Sequence, residues 1–435
     1  MGKLVLLLRG SAAFSLMRVA GAGASFVAQA ILATLLQPRE LGLFFSATSA
    51  AAVAALVATQ GYPQIAPRFI SRYGPGTRRP YLASFLGQAA ADGTRAALAM
   101  TALLGAGAFL WPATDGDTRL SFALAAAMVI ALASIIGCGA VAGAQRRFEL
   151  AYIPDSLARP VAFLALVAGL AAFSVPLSAG LATALFAFVA ASAAAVQFTL
   201  LRRSLPRLAR PGARLARHWR AEAWPLILLA LFTNLFADIG ILCATPFLGI
   251  ADVAVFGLCL KLALLVGFVV QVAQQIALPD LADARRDGDA DAMRRAVRRS
   301  VVLPVAVTFA GLAGAALFGD RVLAVFGPAF VAGQPALVIL VGTQLLRALA
   351  GPGAHLLTLA GAQTLSAAIC AGALGVLVLA NLALAPPFGV LGAAFAVLLT
   401  FAAWTAATAL ALRRLGERRT DLFGPGPALA VRAAG

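Results

Sequence analysis

The sequence predicts an all-α polytopic membrane protein, with about twelve transmembrane helices in two parallel six-helix repeats. Three observations predict it. Of the 435 residues, 62% are apolar and only 12% charged, whereas a soluble domain is about a quarter charged and under half apolar. The apolar residues gather into stretches of about 20, the length a helix needs to cross a bilayer. The basic residues collect in alternate gaps between those stretches, as they do where Lys and Arg are held to one side of a membrane. Mean hydropathy is +0.93. A soluble enzyme, a disordered chain and a disulfide scaffold are all excluded by this composition.

The stretches run, in order, over 12–36, 42–66, 94–111, 120–144, 158–175, 178–201, 223–244, 252–277, 300–318, 335–359, 364–385 and 389–412. Pro, Gly and charge punctuate most of their boundaries. The first carries Ala20-Gly21-Ala22, which looks cleavable. Arg9 and Arg18 break its apolar run, and that run continues to Leu36, so it reads as a retained helix and not a signal peptide.

Net charge is +17, from 34 Lys+Arg against 17 Asp+Glu. With the N-terminus inside, the inner segments hold 27 Lys+Arg: Lys3 and Arg9, Arg68 to Arg79, Arg146 to Arg159, Arg202 to Arg220, Arg285 to Arg299, and Arg413 to Arg432. The outer loops hold only Arg39, Arg119 and Arg321. This asymmetry puts both termini in the cytoplasm. It also assigns the charge to the membrane surface, with no nucleic-acid partner.

Three sets of matches recur at about half the length. Glu40, Phe44, Pro67 and Gly76 match Asp252, Phe256, Pro279 and Gly288 at an offset of 212. Ala142 to Gln145 recurs as Ala360 to Gln363 at 218, and Gly180, Ala184 and Phe186 match Gly389, Ala393 and Phe395 at 209. Six is even, so both halves enter from the same side, and such a repeat is parallel. The expected organisation is a six-helix lobe over 1–201, an Arg-rich cytoplasmic linker over 202–222, and a second lobe over 223–435 with a basic tail.

No water-facing segment is long enough for a catalytic domain, and the chain has no Walker A run or dinucleotide-binding glycine fingerprint. It reads as a non-enzyme that needs no cofactor. Cys138, Cys243, Cys259 and Cys370 lie in apolar stretches and read as small buried hydrophobes. His218 and His355 have no partners at metal spacing, so no metal site is expected.

Ionisable groups inside lipid cost about 2.5–3.5 kcal/mol each on insertion scales, which makes them the candidates for function. Lys261 lies too deep to snorkel. It reads either as a cation lining an aqueous cavity or as the buried partner of Asp238. Asp238, four residues after Asn234, is a candidate for ion coupling, with Asn234 on the same helical face; the alternative is a packed carboxylate held by a neighbour. Arg347 sits near Gln344 and shortly before Gly351-Pro352-Gly353. A broken helix beside a deep Arg points to a binding site, and a packing kink is the competing reading. Arg18 is two turns in and reads as a cavity cation or as an interfacial anchor. Asp92 and Arg95 read as a surface pair, and Gln271, Gln274 and Gln275 as a polar patch at the inner end of the eighth helix. This cation-biased inventory suits an anionic phosphate or pyrophosphate.

Several segments carry a family resemblance: Leu36 to Phe44, Gly249 to Phe256 leading to Lys261, Leu278-Pro279-Asp280-Leu281 with Arg286 to Asp289, Val325 to Phe330, and Pro387 to Ala394. The sequence resembles a Wzx-type polysaccharide flippase of the multidrug/oligosaccharidyl-lipid/polysaccharide exporter superfamily. The resemblance implies flipping of an undecaprenyl-pyrophosphate-linked oligosaccharide across a bacterial cytoplasmic (inner) membrane. It implies a polysaccharide polymerase and chain-length proteins as partners. Related lipid II flippases use basic residues of their first and eighth helices, where Arg18 and Lys261 fall here. The absence of the two extra helices of those relatives weighs against a lipid II role. A gradient-driven multidrug-type antiporter is the alternative. A major facilitator type is disfavoured because Arg68 to Pro80 has no Asp.

Overall fold

The computed structural model describes residues 2–73, 79–110 and 115–415; the side chains of 2–16, 18 and 19 lie outside the described residues. Every regular element among the described residues is helical. The chain divides into two compact units, 1–242 and 243–435.

In the first unit, α1 (Gly2–Leu35) and α2 (Pro38–Ala58) are joined by a two-residue turn. Pro38 opens α2 where its missing N–H costs nothing, and Glu40 reaches back to accept from the Gln37 N–H at 3.3 Å. Then α3 (Tyr62–Tyr73) follows a break at Gln60 and Gly61, both at positive φ. A Cβ at Gly61 would collide with the Ala223 carbonyl, so two segments of backbone meet there with no room for a side chain. Next are α4 (Arg79–Leu110) and α5 (Gly116–Ala144), the latter capped by Asp115, which accepts from the Thr118 N–H at 3.1 Å. The chain continues through α6 (Phe148–Tyr152), a π-helical turn at Ile153–Ala158 and α7 (Arg159–Ala172). The unit closes with α8 (Ala179–Arg202), α9 (Ala213–Ala223), α10 (Pro225–Asn234) and most of α11 (Phe236–Ala244).

Its central core is built of small residues. Ala47, Ala51 and Ala55 of α2 pack against Ala125 and Val129 of α5 and Ala190 of α8. Close helix approach through small side chains is the usual packing where lipid removes the hydrophobic drive between helices. An aromatic cluster holds α9 in place: Trp219 is fully buried among Phe69, Tyr73 and Phe85. The segment expected to link two lobes therefore packs on the first unit.

The second unit contains α12 (Ile250–Asp287), α13 (Ala290–Ala324), a 3₁₀ turn at Pro328–Gly333, α14 (Gln334–Ala350), α15 (Gly353–Leu359) and α16 (Gln363–Arg414). Gly288 ends α12 at φ 71°, and Asp289 caps α13 by accepting from the N–H groups of Asp291 and Ala292. α16 is two helices in one. Gly389 has φ 56° and ψ −133° just after Pro386 and Pro387, and Gly392 abuts the Leu384 carbonyl, so the chain doubles back.

Nine helices among the described residues are long and apolar enough to cross a membrane, and a bent pair adds a tenth. The described part of α1 is a shorter apolar helix, and the 52 residues of α16 hold two of the expected stretches. All twelve stretches are thus helical. Some differ in detail from the expectation: the second is interrupted at Gln60 and Gly61, and the third begins at Arg79, fifteen residues before its expected start. The seventh is broken at Leu235, where the axis turns by 85°. The fifth begins at Phe148, ten residues before the expected start, because the π turn carries the helix through Pro154.

Candidate functional site

The second unit brings three helices together around Arg347. Arg347 lies one turn before the end of α14, where Gly351 leaves helical geometry at φ 67°, ψ −160°. Its Nη1 donates to Gln344 Oε1 at 2.8 Å, and its guanidinium lies 5.2 Å from the Phe401 ring centroid on α16. Gln344 is buried, and its carboxamide fills the space left by Gly267 on α12, where a Cβ would strike it. Seven residues along α12, on the same face, Gln274 Nε2 donates to the Gly351 carbonyl at 3.0 Å. That bond satisfies an acceptor which the helix break leaves without its usual partner. The Gln patch and the Gly-Pro-Gly break, read separately in the sequence, are one structure.

Both described partners of Arg347 are uncharged: an amide and an aromatic face. A guanidinium has five N–H donors in a planar fork. Held by a neutral amide, this one keeps its charge for a bidentate anion such as phosphate.

Lys261 is half-buried on α12. It precedes Gly267 by six residues, about 120° round the helix from the stripe that meets α14. Asp238 stands in the first turn of α11, the favourable end of a helix for a carboxylate, and accepts from Ser49 Oγ of α2 at 2.9 Å. Asn234 is the last residue of α10 and is exposed. The 85° turn between α10 and α11 removes the shared helical face expected for Asn234 and Asp238, because i,i+4 neighbours require a continuous helix. The side chain of Arg18 lies outside the described residues.

Two groupings escaped the sequence reading. Asp92 is no surface pair with Arg95: its side chain is only 10% exposed, while Arg95, at 3.6 Å, is 72% exposed. Asp92 is instead held by both forks of Arg220 at 2.7 Å, by Tyr62 Oη at 2.8 Å and by Gln88 Nε2 at 2.7 Å. The second grouping is Asp155 and Arg159. Arg159 falls among the inner basic residues in the sequence tally, but it is the twelfth residue of the 25-residue span Phe148–Ala172. Its Nη2 and Nε meet Asp155 Oδ1 at 2.8 and 3.1 Å, and its guanidinium lies 5.3 Å from the Phe186 ring centroid. The signal was present as an Asp and an Arg four residues apart, with apolar sequence on both sides. Pro154 and Pro160 disguised it as a loop.

A family model described as "Polysaccharide biosynthesis protein" matches residues 7–283, more than half of the chain. Comparison with curated proteins by sequence finds no match. Among solved structures, the chain is similar to a lipid II flippase MurJ in an inward closed conformation, with TM-score 0.71 and 10% identity over 92% of this chain and 87% of that one. It is similar to a multidrug resistance MATE family transporter of the MOP superfamily in an inward-facing conformation, with TM-score 0.64 and 15% identity over 92% and 97%. A third similar structure is the MATE multidrug transporter DinF-BH, with TM-score 0.62 and 16% identity over 92% and 94%. At these identities the likeness is one of fold.

Proposed function

The chain belongs to the polysaccharide biosynthesis protein family, and from that premise we propose that it flips a lipid-linked oligosaccharide across a membrane by alternating access. The cargo in this reading is an undecaprenyl-pyrophosphate-linked oligosaccharide. The membrane is the bacterial cytoplasmic one, with both termini inside, and a polysaccharide polymerase and chain-length proteins take over the product. The observation that carries the reading is Arg347, a membrane-embedded guanidinium whose described partners are an amide and an aromatic ring. A pyrophosphate supplies the negative charge and the planar pairs of oxygens that such a fork recognises. Gln344 holds the fork in register, and the Gln274-capped break leaves the chain beyond Gly351 free of α14 geometry.

Lys261 and Arg18 serve in this reading as further cations along the path of the phosphate, and Asp238 serves as the coupling carboxylate, its Ser49 hydroxyl replaceable by a proton or Na⁺. Asn234 is a weaker candidate because the bend parts it from the Asp238 face. The two six-helix lobes are read as the moving halves.

The test is genetic and biochemical. A deletion strain should accumulate lipid-linked oligosaccharide on the cytoplasmic face, and Arg347→Ala should reproduce this at normal protein level. Normal export by Arg347→Ala removes Arg347 from the site, and normal export by the deletion strain removes the function. The shared fold with multidrug transporters supports a second reading, a gradient-driven antiporter. Dye extrusion by the intact strain, lost on deletion without any change in glycan, favours it.

A further inference from the structure

A cavity of about 780 Å³ lies in the first unit between α8 and the helix formed by α6, the π turn and α7. Its volume falls within the about 300–1,000 Å³ typical of ligand sites. Small residues contribute to its lining: Ala162 and Ala165 on α7 and Ala193 on α8. Leu166, Phe188 and Val196 also line it, with Phe188 65% and Val196 54% exposed. Arg147, Glu149 and Arg159 line it too, with Arg147 Nη1 bonded to Ser204 Oγ at 2.7 Å. The lining is apolar apart from these groups and Ser192.

An ion pair inside a membrane span is costly and marks function by default. This one stands on a π turn, a feature that recurs at functional sites. Arg159 spends two of its five N–H donors on Asp155, both on the same carboxylate oxygen, and its side chain is 22% exposed. The remaining donors are available to an anion that enters the cavity.

Depth selects the occupant. Arg159 stands eleven residues, about 16 Å, along the helix from Phe148, near the midpoint of the 25-residue span. Resident phospholipids keep their phosphates at the interface. Only a lipid in transit brings a phosphate to this level while its chain stays in the apolar groove.

We propose that Arg159, held by Asp155, is a phosphate site midway along its span for the cargo lipid, and that the largely apolar groove beside it carries the isoprenoid chain. This rests on the reading of a lipid-linked cargo, but it adds a site in the first unit, apart from Arg347.

The test uses the full chain in phosphatidylcholine nanodiscs with a fluorescent polyprenyl pyrophosphate as probe. Arg159→Gln should weaken binding at least about tenfold, the scale of a lost charge-assisted hydrogen bond. Asp155→Asn should tighten binding by releasing the guanidinium, a gain that a misfolded variant cannot give. Ala162→Leu with Ala193→Leu should weaken both the probe and a polyprenol of equal length, whereas Arg159→Gln should leave the polyprenol unchanged. Wild-type affinity in Arg159→Gln overturns the site, and so does equal competition by phosphatidylglycerol. If probe binding depends on Arg159 while the deletion strain exports glycan normally, the site stands and the proposed function falls. If binding depends on Arg347 and not on Arg159, the proposed function stands and the site falls.

Discussion

Arg220 closes on Asp92 as a fork, Nε to Oδ2 and Nη2 to Oδ1, each at 2.7 Å across 128 residues of sequence. The bond ties the amphipathic helix α9 to the membrane-embedded α4, with Tyr62 and Gln88 completing the shell of the carboxylate. Asp92→Ala strips the partner from Arg220 and leaves the buried Gln88 amide unsatisfied. It should cost about 1–3 kcal/mol, discounted because Arg220 is half exposed. Asp92→Asn keeps acceptors for Tyr62 and Gln88 and should cost less. Thermal denaturation in detergent measures both, and equal melting of all three proteins would refute the link.

Gly267 and Gln344 should behave as a coupled pair. Gly267→Ala places a methyl group against the Gln344 carboxamide, which must move and release Arg347. In a Gln344→Ala background the three atoms nearest to that methyl group are gone. A double-mutant cycle on stability should show about 1–2 kcal/mol of coupling. Strict additivity would show that the two do not touch.

Arg347→Lys and Arg347→Ala should separate charge from shape. The alanine variant should lose export about tenfold or more, the scale of a lost charge-assisted contact. The lysine variant keeps a point charge but loses the fork and the guanidinium's contact with the Phe401 ring, so it should fall between alanine and wild type. Quantitative export assays at matched protein level decide, and lysine equal to wild type would remove the role of the fork.

Asp115 gives a pH prediction outside the spans. Its carboxyl is held down at about 2, first by the hydrogen bond from Arg39 and then by that from Thr118. The ordinary value is about 3.9. A depressed carboxyl contributes stability that is fully present above its unfolded value and is lost as pH falls through the folded one. Wild type should therefore lose stability between about pH 4 and pH 2. Arg39→Gln should show a shallower loss in that window, read by unfolding at each pH. Identical slopes would contradict the assignment.

The spans were legible because length and apolarity are local properties of a stretch of chain. Arg347 with Gln344 was legible for the same reason: three residues apart on a helix are neighbours. Breaks were harder. The sequence placed a helix through Leu235, and no spacing rule foretells its 85° turn. At Pro154 the error ran the other way, since a π turn absorbs a proline that ordinarily ends a helix. Partners far apart in sequence were invisible. Nothing local in Asp92 or Gln274 announces Arg220 or the Gly351 carbonyl, because such pairs are set by how helices pack.

The reversal at Gly389 reaches beyond packing. Its φ and ψ lie where a residue bearing a Cβ seldom goes. One achiral residue thus sets the direction in which the final helical leg leaves the preceding one. The course of residues 390–415 is written in the absence of a single methyl group.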